Sequence, residues 1–256
     1  MNLRLAYLTL FLLMSTLAQA AGIVGTGDSA SCTEAALQTA LTGGGEVSFN
    51  CGTATTVSVT SEKLLETDTV IDGGNLITLD GNSKNRIFIT KKNVKLTIKN
   101  ISIINGFTTD QGGGIKTDIF NTLTIENVAF ENNEATRDTK PCDGGGALFI
   151  GAGSKATITH SRFISNRANN GGAINNLRSD LLITDSVFTN NEAMHSDAIN
   201  KLANCGGGGA IYIDGANKVS NGGGGPGALK LLRNMFTEPH GWCTLRLHLF
   251  QRYPRN

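Results

Sequence analysis

Proline is scarce in this chain of 256 residues, at 4, aromatic residues make up 6%, and charged residues only 17%. An ordinary globular domain carries roughly a quarter charged residues. The formal net charge is +1. Without a basic excess the chain lacks the clustered cationic surface that nucleic acid requires, so nucleic acid is excluded as a main partner. So little proline, and no strict glycine triplet, exclude collagen as well. Beyond the first twenty residues no apolar run reaches the roughly 20 residues that a membrane-spanning helix needs. No CxxC or Cys/His spacing of a zinc site is present, and the calcium-binding nonapeptide repeat is missing too. GxSxG, HExxH, a Walker A loop and a GxGxxG between strand and helix are likewise missing. The sequence assigns no catalytic, cofactor-binding or metal-ligating residue.

What is present begins with a leader. Residues 1–20 open on Arg4, continue as an apolar run from Leu5 to Leu17, and close on Ala18-Gln19-Ala20, a small-x-small cleavage site. The pattern predicts a secretory signal removed after Ala20. An exported chain meets oxidising conditions, where disulfides persist. Cys32 and Cys51 enclose 18 residues that read as a short helix, a glycine turn and a strand, a suitable span for one bridge. Cys142 and Cys205 each stand three residues before a Gly-Gly-Ala motif, at matching repeat positions, which makes a second bridge the weaker candidate. Cys243 is left over.

Glycine is abundant, at 32 residues, and it falls in a repeat. Four eight-residue segments align without gaps: Leu96–Ile103, Leu123–Phe130, Ala156–Phe163 and Leu181–Phe188, with Leu229–Phe236 as a degraded fifth. Three end in Phe-x-x-Asn, pairing Phe130 with Asn133, Phe163 with Asn166 and Phe188 with Asn191. Glycine turns recur at Gly112-Gly-Gly-Ile115, Gly145-Gly-Ala-Leu148, Gly171-Gly172-Ala-Ile174 and Gly208-Gly209-Ala-Ile211. The Phe-to-Phe spacings are 33 and 25 residues, so length differences fall in loops while the strand register holds.

Within each segment apolar and polar residues alternate and then shift, at Asn127 for example, as in a strand turning a corner. A unit of about 25 residues cannot bury its own apolar side, whereas stacked copies bury it together at about 4.8 Å per layer. Phe130, Phe163 and Phe188 are then expected in one internal column. Asn133, Asn166 and Asn191 are expected to form an amide ladder at a turn, using the tolerance of Asn for left-handed backbone. Upstream, Thr69 to Asn82 reads as two short strands each closed by an Asp-Gly turn, and Arg86 to Thr90 as another. Cys32 to Leu41 places Ala36, Leu37, Ala40 and Leu41 at helical spacing, predicting a cap over the first coil.

At these residues the sequence resembles the right-handed parallel β-helix proteins of the pectin-lyase-like superfamily. More narrowly, it is similar to bacterial surface proteins with polymorphic outer membrane protein repeats, whose hallmarks are GGAI and FxxN. The resemblance covers roughly residues 30–236 and implies an all-β, right-handed parallel β-helix solenoid with a short N-terminal capping helix. Its expected limits are a leader at 1–20, a β-helix at 21–236 with cap about 30–42 and coils about 45–236, and an atypical tail at 237–256. In chlamydial members the passenger precedes an outer-membrane barrel and acts in adhesion. The resemblance therefore implies an exported, extracellular or outer-membrane-surface passenger of about eight coils and about 40 Å. Loops such as 134–144 and 192–207 would meet a host protein, a neighbouring cell or a polysaccharide.

The same scaffold carries polysaccharide lyases and glycoside hydrolases, which is the alternative reading. Glycoside hydrolysis needs two carboxylates about 5–10 Å apart. Asp72 and Asp80 sit in Asp-Gly turns, Asp143 and Asp214 beside glycine runs, and these types of position favour backbone capping. The polygalacturonase motifs are absent: there is no Asp-Asp pair, GHG or RIK. Glu126, His160 and Asp185 lie at neighbouring positions of aligned strands and read as an exposed polar ladder. Lys91, Lys92 and Lys95 read as a solvated basic face. The tail holds the single Trp, two of the four His and two of the four Pro, with Pro239 where a fourth Phe-x-x-Asn would place its Asn. It shows no strand alternation in this reading. The tail is either a C-terminal cap or, the favoured expectation, a truncated or frame-shifted end, and with it comes the third reading, a non-functional fragment of a longer surface protein.

Overall fold

The computed structural model describes residues 22–136, 144–194, 207–214 and 229–237, together with the backbone of 245–248. The leader, Cys142, Cys205, Cys243, Asp143 and most of the two loops named above lie outside the described residues.

The coils are parallel β-helix coils. Among the described residues their strands stack into sheets of 12, 7 and 4 strands, and every strand pairing is parallel. The largest sheet runs through Gly22–Val24, Gly45–Phe49, Thr69–Asp80, Lys95–Ile104, Thr122–Glu131, Lys155–Thr159, Asp180–Thr184 and Leu229–Leu232, eight layers deep. One coil illustrates the path. Thr122–Glu131 lies in the large sheet, Glu134–Ala135 in the smallest, and Leu148–Ile150 in the seven-stranded one, before Lys155–Thr159 begins the next layer.

The register follows the sequence alignment. Leu96, Leu123, Ala156, Leu181 and Leu229 pair in file, as do Ile98, Ile125, Ile158, Ile183 and Leu231. A column of Ile103, Phe130, Phe163, Phe188 and Phe236 follows. The rings stack nearly parallel, with centroids 5.0, 4.6 and 4.8 Å apart. Each buried ring contributes about 1.5–3 kcal/mol by leaving water, and offset stacking adds about 0.5–1.5 kcal/mol per pair.

Two expectations are corrected. Thr69–Asp80 is one strand rather than two, because the extra residues after Asp72 are absorbed as a bulge between Asp72 and Ile77. The tail also contributes a strand: Leu245–His248 pairs with Ile211–Asp214 in the seven-stranded sheet. Leu, Arg, Leu, His is itself an alternating tetrapeptide, too short to stand out from its surroundings.

The N-terminal end is closed differently. Thr33 caps the helix Glu34–Leu41 by accepting from the Ala36 N–H at 3.1 Å. Leu37, Ala40 and Leu41 are buried, packing the helix against Gly22–Val24 and Gly45–Phe49. A disulfide joins Cys32 to Cys51, with Cα atoms 5.7 Å apart.

Candidate interaction surface

Each coil turns at corners where the backbone is left-handed, and the sequence fills those corners in columns. In the large sheet the bend falls at Asn100, Asn127, His160, Asp185 and Arg233, all with φ between 50° and 54°. This explains the shift in alternation: one left-handed residue reverses which side the next side chain faces. Glu126 is not part of that column, since it pairs with Thr159. His160 and Asp185 are successive members, and Asp185 is held by Arg233 through two bonds of 2.6 and 2.7 Å. The Arg233 guanidinium keeps the Asp185 carboxyl below the usual carboxylate range. At the other end of the column Asn127 donates to Asn75 (2.7 Å) and Asn100 (2.9 Å). The geometry is that of a structural ladder.

The Phe-x-x-Asn asparagines have a different role from the one their type suggests. The left-handed residue is the one before each: Asn132, Ser165 and Asn190, at φ 55°, 54° and 55°. Asn133, Asn166 and Asn191 themselves are buried. Asn133 donates its amide to the Asn166 Oδ1 at 3.0 Å and to the Ile103 carbonyl at 3.0 Å. Asn166 repeats this toward Asn191 and Phe130, both at 3.0 Å. Asn191 reaches the Phe163 carbonyl at 2.9 Å. A buried amide is stable only when its groups are satisfied, and each coil satisfies the next.

Two further buried ladders escaped the sequence reading. Asn121, Ser154 and Ser179 form one: the Asn121 N–H donates to Ser154 Oγ (3.0 Å) and the Ser154 N–H to Ser179 Oγ (3.2 Å). Ser161, Ser186 and Asn234 form the other, with the Ser161 N–H on Ser186 Oγ at 3.1 Å and the Ser186 N–H on Asn234 Oδ1 at 2.9 Å. Ser161 and Ser186 share a position in the aligned segments, which is the sequence signal of that ladder.

The glycine turns are left-handed at Gly112, Gly145, Gly171 and Gly208. At Gly171 a Cβ would lie 2.0 Å from the Ile174 carbonyl oxygen, so no other residue fits without a shift. Gly172 lets coils approach closely, since its Cβ would stand 2.3 Å from the Gly209 carbonyl oxygen.

The carboxylates are tied to the frame. Asp72 accepts from the Gly74 N–H (3.0 Å), from Asn100 (3.0 Å) and from Lys99 (3.2 Å). Burial raises its pKa, but those bonds outweigh burial and hold it below the usual range. Asp80 accepts from the Asn82 N–H at 2.8 Å and from Asn105 at 3.1 Å. Buried Arg86 gathers Glu62, Asp110 (3.2 Å) and the carbonyls of Gly112 and Gln111, both at 2.9 Å. Buried Lys63 pairs with Glu34, which also accepts from the N–H groups of Thr60 (2.9 Å) and Ser61 (3.1 Å). Burial pushes Glu34 up, but Lys63, Thr60 and Ser61 outweigh it and hold the carboxyl at about 2. Glu134, Arg167 and Glu192 alternate in charge along the smallest sheet, with Arg167 to Glu134 at 3.7 Å and to Glu192 at 3.2 Å. Lys95 stands in solvent, 3.8 Å from Asp68. No group of three or more His, Cys, Asp and Glu side chains is placed to hold a metal ion among the described residues. No described helix is long and apolar enough to cross a membrane.

One concavity lies on the outer face of the large sheet. It is an open depression of about 460 Å³ lined by Glu46, Asp68, Thr69, Val70, Lys95 and Thr97. Glu46 and Asp68 carry no motif, and only the register of Gly45–Phe49 on Thr69–Asp80 brings them near each other.

A family model described as the Chlamydia polymorphic membrane protein (Chlamydia_PMP) repeat matches residues 185–214. That stretch contains Phe188, Asn191 and Gly208-Gly-Ala-Ile211, the ring, the ladder amide and the glycine turn of one coil. No curated protein and no solved structure shows a match. The repeat type is that of outer-membrane-associated proteins, which supports a surface location. The chain is a parallel β-helix, one stretch of which matches the polymorphic membrane protein repeat.

Proposed function

We propose that the protein is exported after cleavage at Ala20 and acts at the cell surface or outside the cell as a structural or adhesive β-helix passenger. It binds a host, neighbouring-cell or glycan surface through its outer faces and does no chemistry on it. The observation that carries this reading is the matched repeat at 185–214, seated in register within a continuous stack. The engagement of Asp72, Asp80, Glu34 and Asp185 in capping bonds and ion pairs supports the non-catalytic part. Beads coated with the purified protein should adhere to cultured epithelial cells or to sister bacteria, and uncoated beads should not. Absence of adhesion to both would remove the adhesive reading.

A polysaccharide lyase or glycoside hydrolase is the second reading, favoured by the depression flanked by Glu46 and Asp68. Incubation with acidic and neutral polysaccharides separates the two. New reducing ends or unsaturated products, abolished by Glu46→Gln, would establish the enzyme and overturn the passive binder.

A further inference from the structure

We draw no further inference here: the strongest candidate, the half-buried apolar layer of Leu229, Leu231 and Phe236 that ends the described part of the large sheet, carries none because nothing in the structure shows what covers it.

Discussion

The first coils and the repeat coils are built on one plan and held together by different means. Residues 22–116 use individual fasteners: a helix cap, the Cys32–Cys51 bridge, Lys63 on Glu34, and Arg86 among Glu62, Asp110 and backbone carbonyls. Residues 122–237 use sameness, with the same ring, amide, hydroxyl and glycine recurring from coil to coil. The first solution tolerates dissimilar coils but depends on single contacts. In the second, each contact satisfies the next coil, so an interior loss is felt on both sides.

That contrast can be broken most forcefully at Phe163, between two stacked rings. Phe163→Ala should cost about 3–5 kcal/mol, read from urea unfolding, and should raise hydrogen exchange in the coils of both Phe130 and Phe188. Next is the double change Cys32→Ser/Cys51→Ser. It opens a loop with a sequence separation of 19 and should cost about 3 kcal/mol. Its exchange increase should stay within the first coils, and spread as far as Phe188 would erase the distinction. Asn166→Ala removes the Oδ1 that accepts from both the backbone N–H and the side-chain amide of Asn133, and should cost about 2–3 kcal/mol. Arg167→Ala, beside it but exposed, should cost under about 1 kcal/mol.

A further effect is electrostatic and belongs to the first coils. Glu34 has its folded pKa lowered from 4.5 to about 2. A depressed carboxylate stabilises fully above its unfolded pKa, and that contribution is lost as pH falls from about 4.5 toward 2. Asp72, Asp110 and Asp185 are shifted in the same direction. Melting followed from pH 6 to pH 2 should decline, and Glu34→Gln should remove part of that decline by lowering the pH 6 value. A decline identical to wild type would show that the clip to Lys63 contributes nothing.

The two regions also differed in how far they could be read beforehand. The repeat coils announced their register, since identical residues at identical positions predict a column whatever the loops do. The phenylalanine file and the glycine turns were legible for that reason. The asparagines form the ladder that their repeat position predicts but on a different backbone, because residue type points to a left-handed turn and the preceding residue takes it. The corner at Asn127, His160, Asp185 and Arg233 has no residue signature, as four different side chains accept the same φ. In the first coils the charged fasteners join residues 24 to 29 positions apart, and Lys63 and Arg86 look like surface charges until the fold surrounds them.

The central claim is that coils 33 and 25 residues long lie in strict register, and paired cysteines on the outer face test it most directly. Thr124 pairs with Thr157, and Thr157 with Leu182. Strands in such layers lie about 4.8 Å apart, within the Cα separation that a disulfide bridges. Under mild oxidation Thr124→Cys/Thr157→Cys and Thr157→Cys/Leu182→Cys should each form the engineered bridge, found by peptide mapping, while Thr124→Cys/Thr159→Cys should not. Bridging in the offset pair with none in the two in-register pairs would contradict the stacked repeat and everything inferred from it.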